Sequence, residues 1–255
     1  GLPKAPSRFN PLANPARSQE RRDWILGRMY KLGRIDQARY DEAIAEPIDA
    51  SYHGATPELA APYVAEMVRA EMVGKYGSDA YTEGFQVTTT VPSNLQNDAT
   101  QAVHDGLTDY DMRHGYRGPE TRLPGMTKDT WLQELSKFRS IGGLEPSIVT
   151  QVEPSGILVL LRNGQEEAVP WSSMKWARPF LHTNSIGARP KNPAEVVQVG
   201  DLVRVLRQAD DSLTFQQIPA AQAALVSLDP RNGAIRALVG GFSFEQSNYN
   251  RAIQA

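Results

Sequence analysis

From Ile148 to Ile218 the apolar residues come in short runs separated by turn signals, and this pattern restricts the fold more than any other feature of the chain. Ile148–Val152 and Gly156–Arg162 are β-branched and apolar. Asn163-Gly164 follows as a type I′ hairpin signal, because both central positions of that turn need a positive φ. Glu167–Trp171 then pairs back. Val196–Val199 and Leu202–Leu206 flank Gly200-Asp201, and Leu213–Ile218 follows the turn at Asp210-Asp211. Strands this short and this close together predict a small antiparallel barrel. Residues 176–194, with Pro179, Pro190 and Pro193, form a long excursion within it.

The region before the strands reads as helix and loop. Asn14-Pro15 is a helix start, with Asn as N-cap and Pro at the first helical position. The stripe Trp24, Ile25, Met29 and Leu32 carries that helix to about Leu32, where Gly33 stops it. A second helix runs from about Asp36 to Ala45. Pro47, Gly54, Pro57 and Pro62 mark a linker. Tyr63–Tyr76 is a third helix, with Val64, Met67, Val68, Met72 and Val73 as its buried face. Phe85–Val91 alternates as a strand, Ser93 caps a helix to about Tyr110, and residues 113–127 form a polar loop. Beyond the barrel, Ala223–Leu228 and Ala234–Val239 make a hairpin over Asp229–Gly233 that wants more sheet than it carries. The fold class is α+β and multi-domain. Residues 1–50 are helical and 51–144 are a linker region of helix, strand, helix and loop. Residues 145–219 form a small antiparallel β-barrel, of which the OB type is one candidate, and 220–255 are a C-terminal β-hairpin of an incomplete sheet.

Several function classes are disfavoured by composition. The net charge of -2 supplies no global field for nucleic acid or anionic lipid. Cysteine is absent, which removes disulfides and thiolate chemistry. The four His residues (His53, His104, His114, His182) are scattered and no two share a helix turn, so no metal site is expected. No apolar run is long enough to span a bilayer. The chain opens on Gly1-Leu2-Pro3 and is expected to be a segment of a longer protein.

Two stretches resemble a known family. Gly1–Pro11, Asn14-Pro15 and Glu20-Arg21-Arg22 look like the end of a peptidoglycan glycosyltransferase domain. Phe85–Val91 and the run His114-Gly115-Tyr116-Arg117-Gly118 look like the linker that follows it. Ala224–Pro230, Gly233-Ala234-Ile235, Val239-Gly240-Gly241 and Asn250-Arg251-Ala252 look like the opening of a penicillin-binding transpeptidase domain. Together these resemble a class A penicillin-binding protein of the 1a type. The resemblance implies a bifunctional enzyme, polymerising glycan from a lipid-linked disaccharide and cross-linking stem peptides through an acyl-enzyme serine. It implies a parent anchored by an N-terminal transmembrane helix and acting at the periplasmic face of the bacterial inner membrane. It also implies an outer-membrane lipoprotein regulator as a partner of the barrel, while the charge disfavours a nucleic-acid partner. No cofactor is implied for this segment; a divalent cation stays open for the parent glycosyltransferase.

No catalytic residue is expected in this segment. Glu20, Glu42 and Glu46 read as helix-surface carboxylates. Ser172-Ser173-Met174-Lys175 has the Ser-x-x-Lys spacing of the transpeptidase nucleophile, but it falls at a strand end, and no Lys-[Ser/Thr]-Gly partner exists in the chain. The resemblance places the true serine beyond Ala255. Arg17, Arg21, Arg22 and Arg28 either contact pyrophosphate or lipid head groups or form a solvated helix face. Lys4, Ser7 and Asn10, with Arg21, are the candidate substrate-binding residues; turn formation is the alternative for the loop positions. Trp171, Trp176 and Phe180 alternate with Lys175 and Arg178. Trp171, Trp176, Arg178 and Phe180 form a candidate docking patch, with base or sugar stacking and plain core packing as the alternatives.

Overall fold

The computed structural model describes residues 5, 8–12, 14–50 and 58–255. The chain divides into two compact units, 1–58 and 59–255.

In the first unit α1 (Pro15–Lys31) packs on α2 (Gln37–Ala45). Asp36 caps α2 by accepting a hydrogen bond from the Arg39 backbone N–H at 2.9 Å. Arg22 donates to the backbone carbonyls of Glu46 (2.6 Å) and Ile44 (3.4 Å), which the end of α2 leaves without helical partners. Tyr30 stacks on Tyr40 with ring centroids 5.3 Å apart. The expected apolar stripe of α1 is not covered: Trp24 and Leu32 are 57% and 63% exposed.

The second unit opens with α3 (Pro62–Tyr76) and α4 (Ser93–His114). Only Tyr63 of α3 is buried, so its expected apolar face is half-covered. Phe85–Val91 is not a strand. Residues 85–90 are exposed, and Thr90 links the segment to the last hairpin: its side chain donates to the Ile235 carbonyl at 2.7 Å and its carbonyl accepts from Arg236 at 3.3 Å. No backbone ladder pairs with it among the described residues, and propensity alone does not make a strand. In α4 the residues Gln96, Ala99, Val103, Leu107 and Asp111 recur at helical spacing and form the buried face.

β1 (Thr121–Arg122) and α5 (Lys128–Leu135) follow, then β2 (Glu145–Glu153), β3 (Gly156–Leu160) and β4 (Glu166–Pro170). The excursion carries the short pair β5 (Phe180–His182) and β6 (Ser185–Ile186). β7 (Asp201–Arg207) and β8 (Leu213–Gln216) complete an antiparallel sheet of order β1-β7-β2-β3-β4, with β8 also on β7. Val196–Val199 is not a strand, because a 3-10 turn at Pro193–Glu195 leads straight into the turn before β7.

Both faces of this sheet are covered, as the period of two allows. Val149, Val159, Val203, Val205 and Phe215 point into one core. Ile148, Leu160 and Leu202 point the other way, onto Leu135 of α5 and its neighbours Trp131 and Leu132. Each fully buried side chain of this size contributes about 1.5–3 kcal/mol. The OB-like architecture is present, but the barrel does not close. β4 and β8 approach without a hydrogen-bonded ladder, and Arg207 spans the gap with a two-point ion pair to Glu167 at 2.9 and 3.0 Å.

The Asn163-Gly164 hairpin is wider than the type I′ form. Leu161 N–H bonds the Gln165 carbonyl across a three-residue loop, and only Gly164 (φ 82°) of its residues has a positive φ. Asn163 instead accepts from Gln165 N–H at 2.9 Å, which holds the turn with a negative φ at 163.

β9 (Leu225–Leu228) and β10 (Ile235–Val239) form the last hairpin, and α6 (Arg251–Gln254) ends the chain. Ala99, Val103 and Leu107 of α4 pack on Ala237, Val239 and Phe242. Gln96 is the closest of these ties. Its buried amide donates to the Leu238 carbonyl (3.0 Å) and accepts from the Leu238 N–H (2.9 Å), so a side chain takes the place of a neighbouring strand.

The turn between β9 and β10 is held by Asp229, 6% exposed, which accepts from Arg236 (2.9 Å), Arg231 (3.0 Å) and the Arg231 backbone N–H (3.0 Å). These bonds, the Arg231 guanidinium first and then Arg236, hold its carboxyl well below the usual carboxylate range. A carboxyl depressed on folding stabilises above its unfolded pKa of about 3.9, and that stability fades as pH falls toward the folded value. Thermal midpoints across pH 2 to 7 are therefore expected to drop below about pH 4. Asp229→Asn should lower the neutral-pH midpoint and flatten the acid limb; an unchanged acid limb would show that other carboxylates carry it.

Candidate functional site

The C-terminal end of α4 is where the second unit is tied together. Asp111, 3% exposed, accepts both guanidinium nitrogens of Arg117 (2.8 and 3.0 Å) and the Ala220 backbone N–H (3.0 Å). Arg117 also donates to the Ile218 carbonyl (2.7 Å), and Gln217 donates to the Gly115 carbonyl (2.9 Å). Tyr116 bridges to the excursion: its N–H bonds the Arg178 carbonyl (2.7 Å) and its carbonyl accepts from Phe180 N–H (2.8 Å). The run His114–Gly118 that carried part of the resemblance is thus a structural joint.

Tyr116 lies edge-on to Phe215 (5.2 Å) and Trp176 (6.1 Å) in the core. Its hydroxyl is buried, with no hydrogen-bond partner among the described residues, and burial pushes its pKa up. An unpaired buried hydroxyl costs stability, so Tyr116→Phe is expected to leave stability unchanged or raise it by about 1–2 kcal/mol. Urea unfolding checks this; a clear loss would mean the hydroxyl is bonded in solution.

Of the residues singled out in the sequence, Lys4, Ser7 and His53 lie outside the described residues. Asn10 accepts from the Leu12 backbone N–H at 2.9 Å, which is turn chemistry. Arg21 packs over the rings of Trp24 (4.4 Å) and Phe9 (5.8 Å). Trp171 and Trp176 pack against the sheet core, and the Trp176 indole donates to the Phe215 carbonyl at 3.3 Å. Arg178 uses Nε to hold the Gly187 carbonyl (2.8 Å). Phe180 is exposed, beside an exposed Leu181.

Ser172 is exposed on a 3-10 turn. Neighbouring Ser173 does the structural bonding there, donating to the Pro170 carbonyl and accepting from Phe215 N–H. No hydrogen bond joins Ser172 to Lys175 among the described residues, and both are exposed. Among the described residues no three His, Asp or Glu cluster as metal ligands. Trp176 and Arg178 line an open cavity of about 510 Å³ together with Lys175, Arg113 and Arg189. Arg113 and Arg189 escaped sequence reading, because only the Tyr116–Pro179 bridge brings the end of α4 beside the excursion.

Comparison with known proteins agrees with this architecture. A family model described as the penicillin-binding protein OB-like domain matches residues 116–221. Over its full length the chain is 72% identical to penicillin-binding protein 1A of Pseudomonas aeruginosa, of which it covers 31%. It is 41% identical to penicillin-binding protein 1A of Escherichia coli, covering 30%. The crystal structure of penicillin-binding protein 1A from Haemophilus influenzae matches 100% of the chain at 42% identity and a TM-score of 0.76, over 36% of that structure. The OB-like unit is thus of the penicillin-binding protein kind. The chain belongs to the class A penicillin-binding proteins of the 1a type, and spans about a third of the length of the curated relatives it matches.

Proposed function

We propose that the chain is the connecting segment of a bifunctional peptidoglycan synthase, and that both catalytic sets lie outside it. The whole protein polymerises glycan strands from a lipid-linked disaccharide and cross-links their stem peptides through a penicillin-sensitive serine. It acts at the periplasmic face of the inner membrane, held by an anchor outside this chain; no helix among the described residues is long and apolar enough to cross a membrane. Residues 1–50 are the end of the glycosyltransferase and 220–255 the opening of the transpeptidase. The OB-like unit is best drawn from Tyr116, since Tyr116 and α5 lie in its cores ahead of residue 145.

One observation carries this reading. The single helix α4 holds the β9–β10 hairpin through Gln96 and holds the exit of the OB-like sheet through Asp111. A rigid tie between an inserted unit and the first strands of the next domain is what a spacer needs to fix the distance between two active sites. The exposed Trp24 and Leu32 on α1, and Val226 and Leu228 on β9, are apolar faces that larger domains would cover. The experiment is acylation: the purified chain should not react with a fluorescent penicillin, and a covalent adduct on Ser172 would overturn the proposal.

A second reading is a docking scaffold for an outer-membrane lipoprotein activator, favoured by exposed Phe180 and Leu181 on β5 of the excursion. Calorimetric titration of the whole chain with purified outer-membrane lipoproteins tests it; no heat from any of them ends this reading.

A further inference from the structure

The cavity between the end of α4 and the excursion is lined by four cations, Arg113, Lys175, Arg178 and Arg189, and by one carboxylate, Asp109. No ion pair among the described residues uses any of the five, although the molecule pairs charges at many other places. Four unneutralised cations around one cleft repel each other, and that arrangement is relieved when an anion enters. The remaining lining residues, Met112, Trp176 and Ile186, are apolar.

We propose that this cleft binds an acidic segment of another polypeptide. The volume of about 510 Å³ is that of a site for several residues and is generous for a single inorganic anion. Guanidinium groups accept carboxylates in planar two-point contacts, and the indole wall suits the aliphatic parts of a peptide between its charges. The net charge of -2 opposes long-range capture of a large polyanion, whereas a short acidic segment needs only the local cluster. The excursion is held in place by Tyr116 and by the Arg178–Gly187 bond, so the cations stand on a fixed frame. This assignment goes beyond the spacer reading and does not depend on it, since the cleft is complete within residues 109–189.

The test titrates the whole chain with hexaglutamate, following the Trp176 indole resonance by NMR. Parallel titrations use inorganic phosphate, phosphatidylglycerol vesicles and a short oligothymidylate. Hexaglutamate should shift the Trp176 signal with an affinity that falls as salt rises. Arg113→Glu and Arg189→Glu should each weaken binding about tenfold, because both side chains are exposed and each reversal adds a repulsion. Arg139→Glu, an exposed charge outside the cleft, should leave binding unchanged, and matched melting curves show that all three variants fold. The proposal is overturned if hexaglutamate does not bind, if the cleft reversals do not weaken it, or if phosphate, vesicles or oligothymidylate bind as well as the peptide or better.

Discussion

Glu120→Ala is expected to lower the unfolding free energy by about 3–5 kcal/mol, because it strands a buried guanidinium. Arg204 is 3% exposed and always protonated, whereas Glu120 is 32% exposed. Glu120 takes Arg204 Nε and Nη2, the latter at 3.0 Å, while Nη1 donates to the carbonyls of Arg139 (2.6 Å) and Leu144 (3.3 Å). Every nitrogen of that guanidinium is thus satisfied. The pair joins the segment leaving α4 to β7 and to the loop ahead of β2. The reverse change, Arg204→Met, removes the charge together with its desolvation cost and should cost less than Glu120→Ala. Equilibrium urea unfolding of the two variants decides the order. Equal losses, or a loss under about 1 kcal/mol for Glu120→Ala, would mean that water reaches Arg204 and the pair is weak.

Gly115→Ala should cost about 2–4 kcal/mol, from backbone strain plus overpacking. Gly115 has φ 92°, and an added Cβ would lie 2.7 Å from the Arg178 carbonyl oxygen, 2.9 Å from Ile186 Cγ2 and 3.1 Å from Phe180 N. Two of those three atoms are backbone and cannot rotate away. Relief requires the excursion to lift from the end of α4, which breaks the Tyr116–Arg178 and Tyr116–Phe180 bonds. Thermal unfolding should show the loss, and amide exchange should show faster opening at Tyr116 and Phe180 than elsewhere in the sheet. If the loss spreads uniformly with no local opening, the excursion is not fixed at this point.

The helices were legible where sequence alone supplies their boundaries. Asn14-Pro15, Gly33 and Pro47 bracket α1 and α2, and the break before Ser93 marks where α4 begins. Most strands of the OB-like sheet were legible as short apolar runs between turn signals, continuous because neighbours such as Ile148 and Val149 go to opposite cores. Helix α5 was not. Its eight residues offer only Trp131, Leu132 and Leu135 as an apolar signal, in a stretch otherwise rich in polar residues. Phe85–Val91 shows the opposite failure: a good strand pattern cannot supply a partner strand.

The candidate sites divide the same way. Trp171 and Trp176 had open alternatives in the sequence; both pack against the sheet core while staying partly exposed, and Trp176 also lines the charged cleft. The charged cleft could not be read at all in one dimension. Arg113 belongs to a helix and Arg189 to a proline-rich excursion, and only the Gly115–Tyr116 joint puts them on one wall.

The proposal is that this chain spaces and connects catalytic domains and performs no acyl transfer itself. Its most direct test is fluorescent penicillin labelling of the purified chain beside the longer synthase proposed to contain it, with peptide mapping of any adduct. The expected result is a covalent label on the longer protein, at a serine outside residues 1–255, and none on the chain. A label on Ser172, in either protein, would contradict the account.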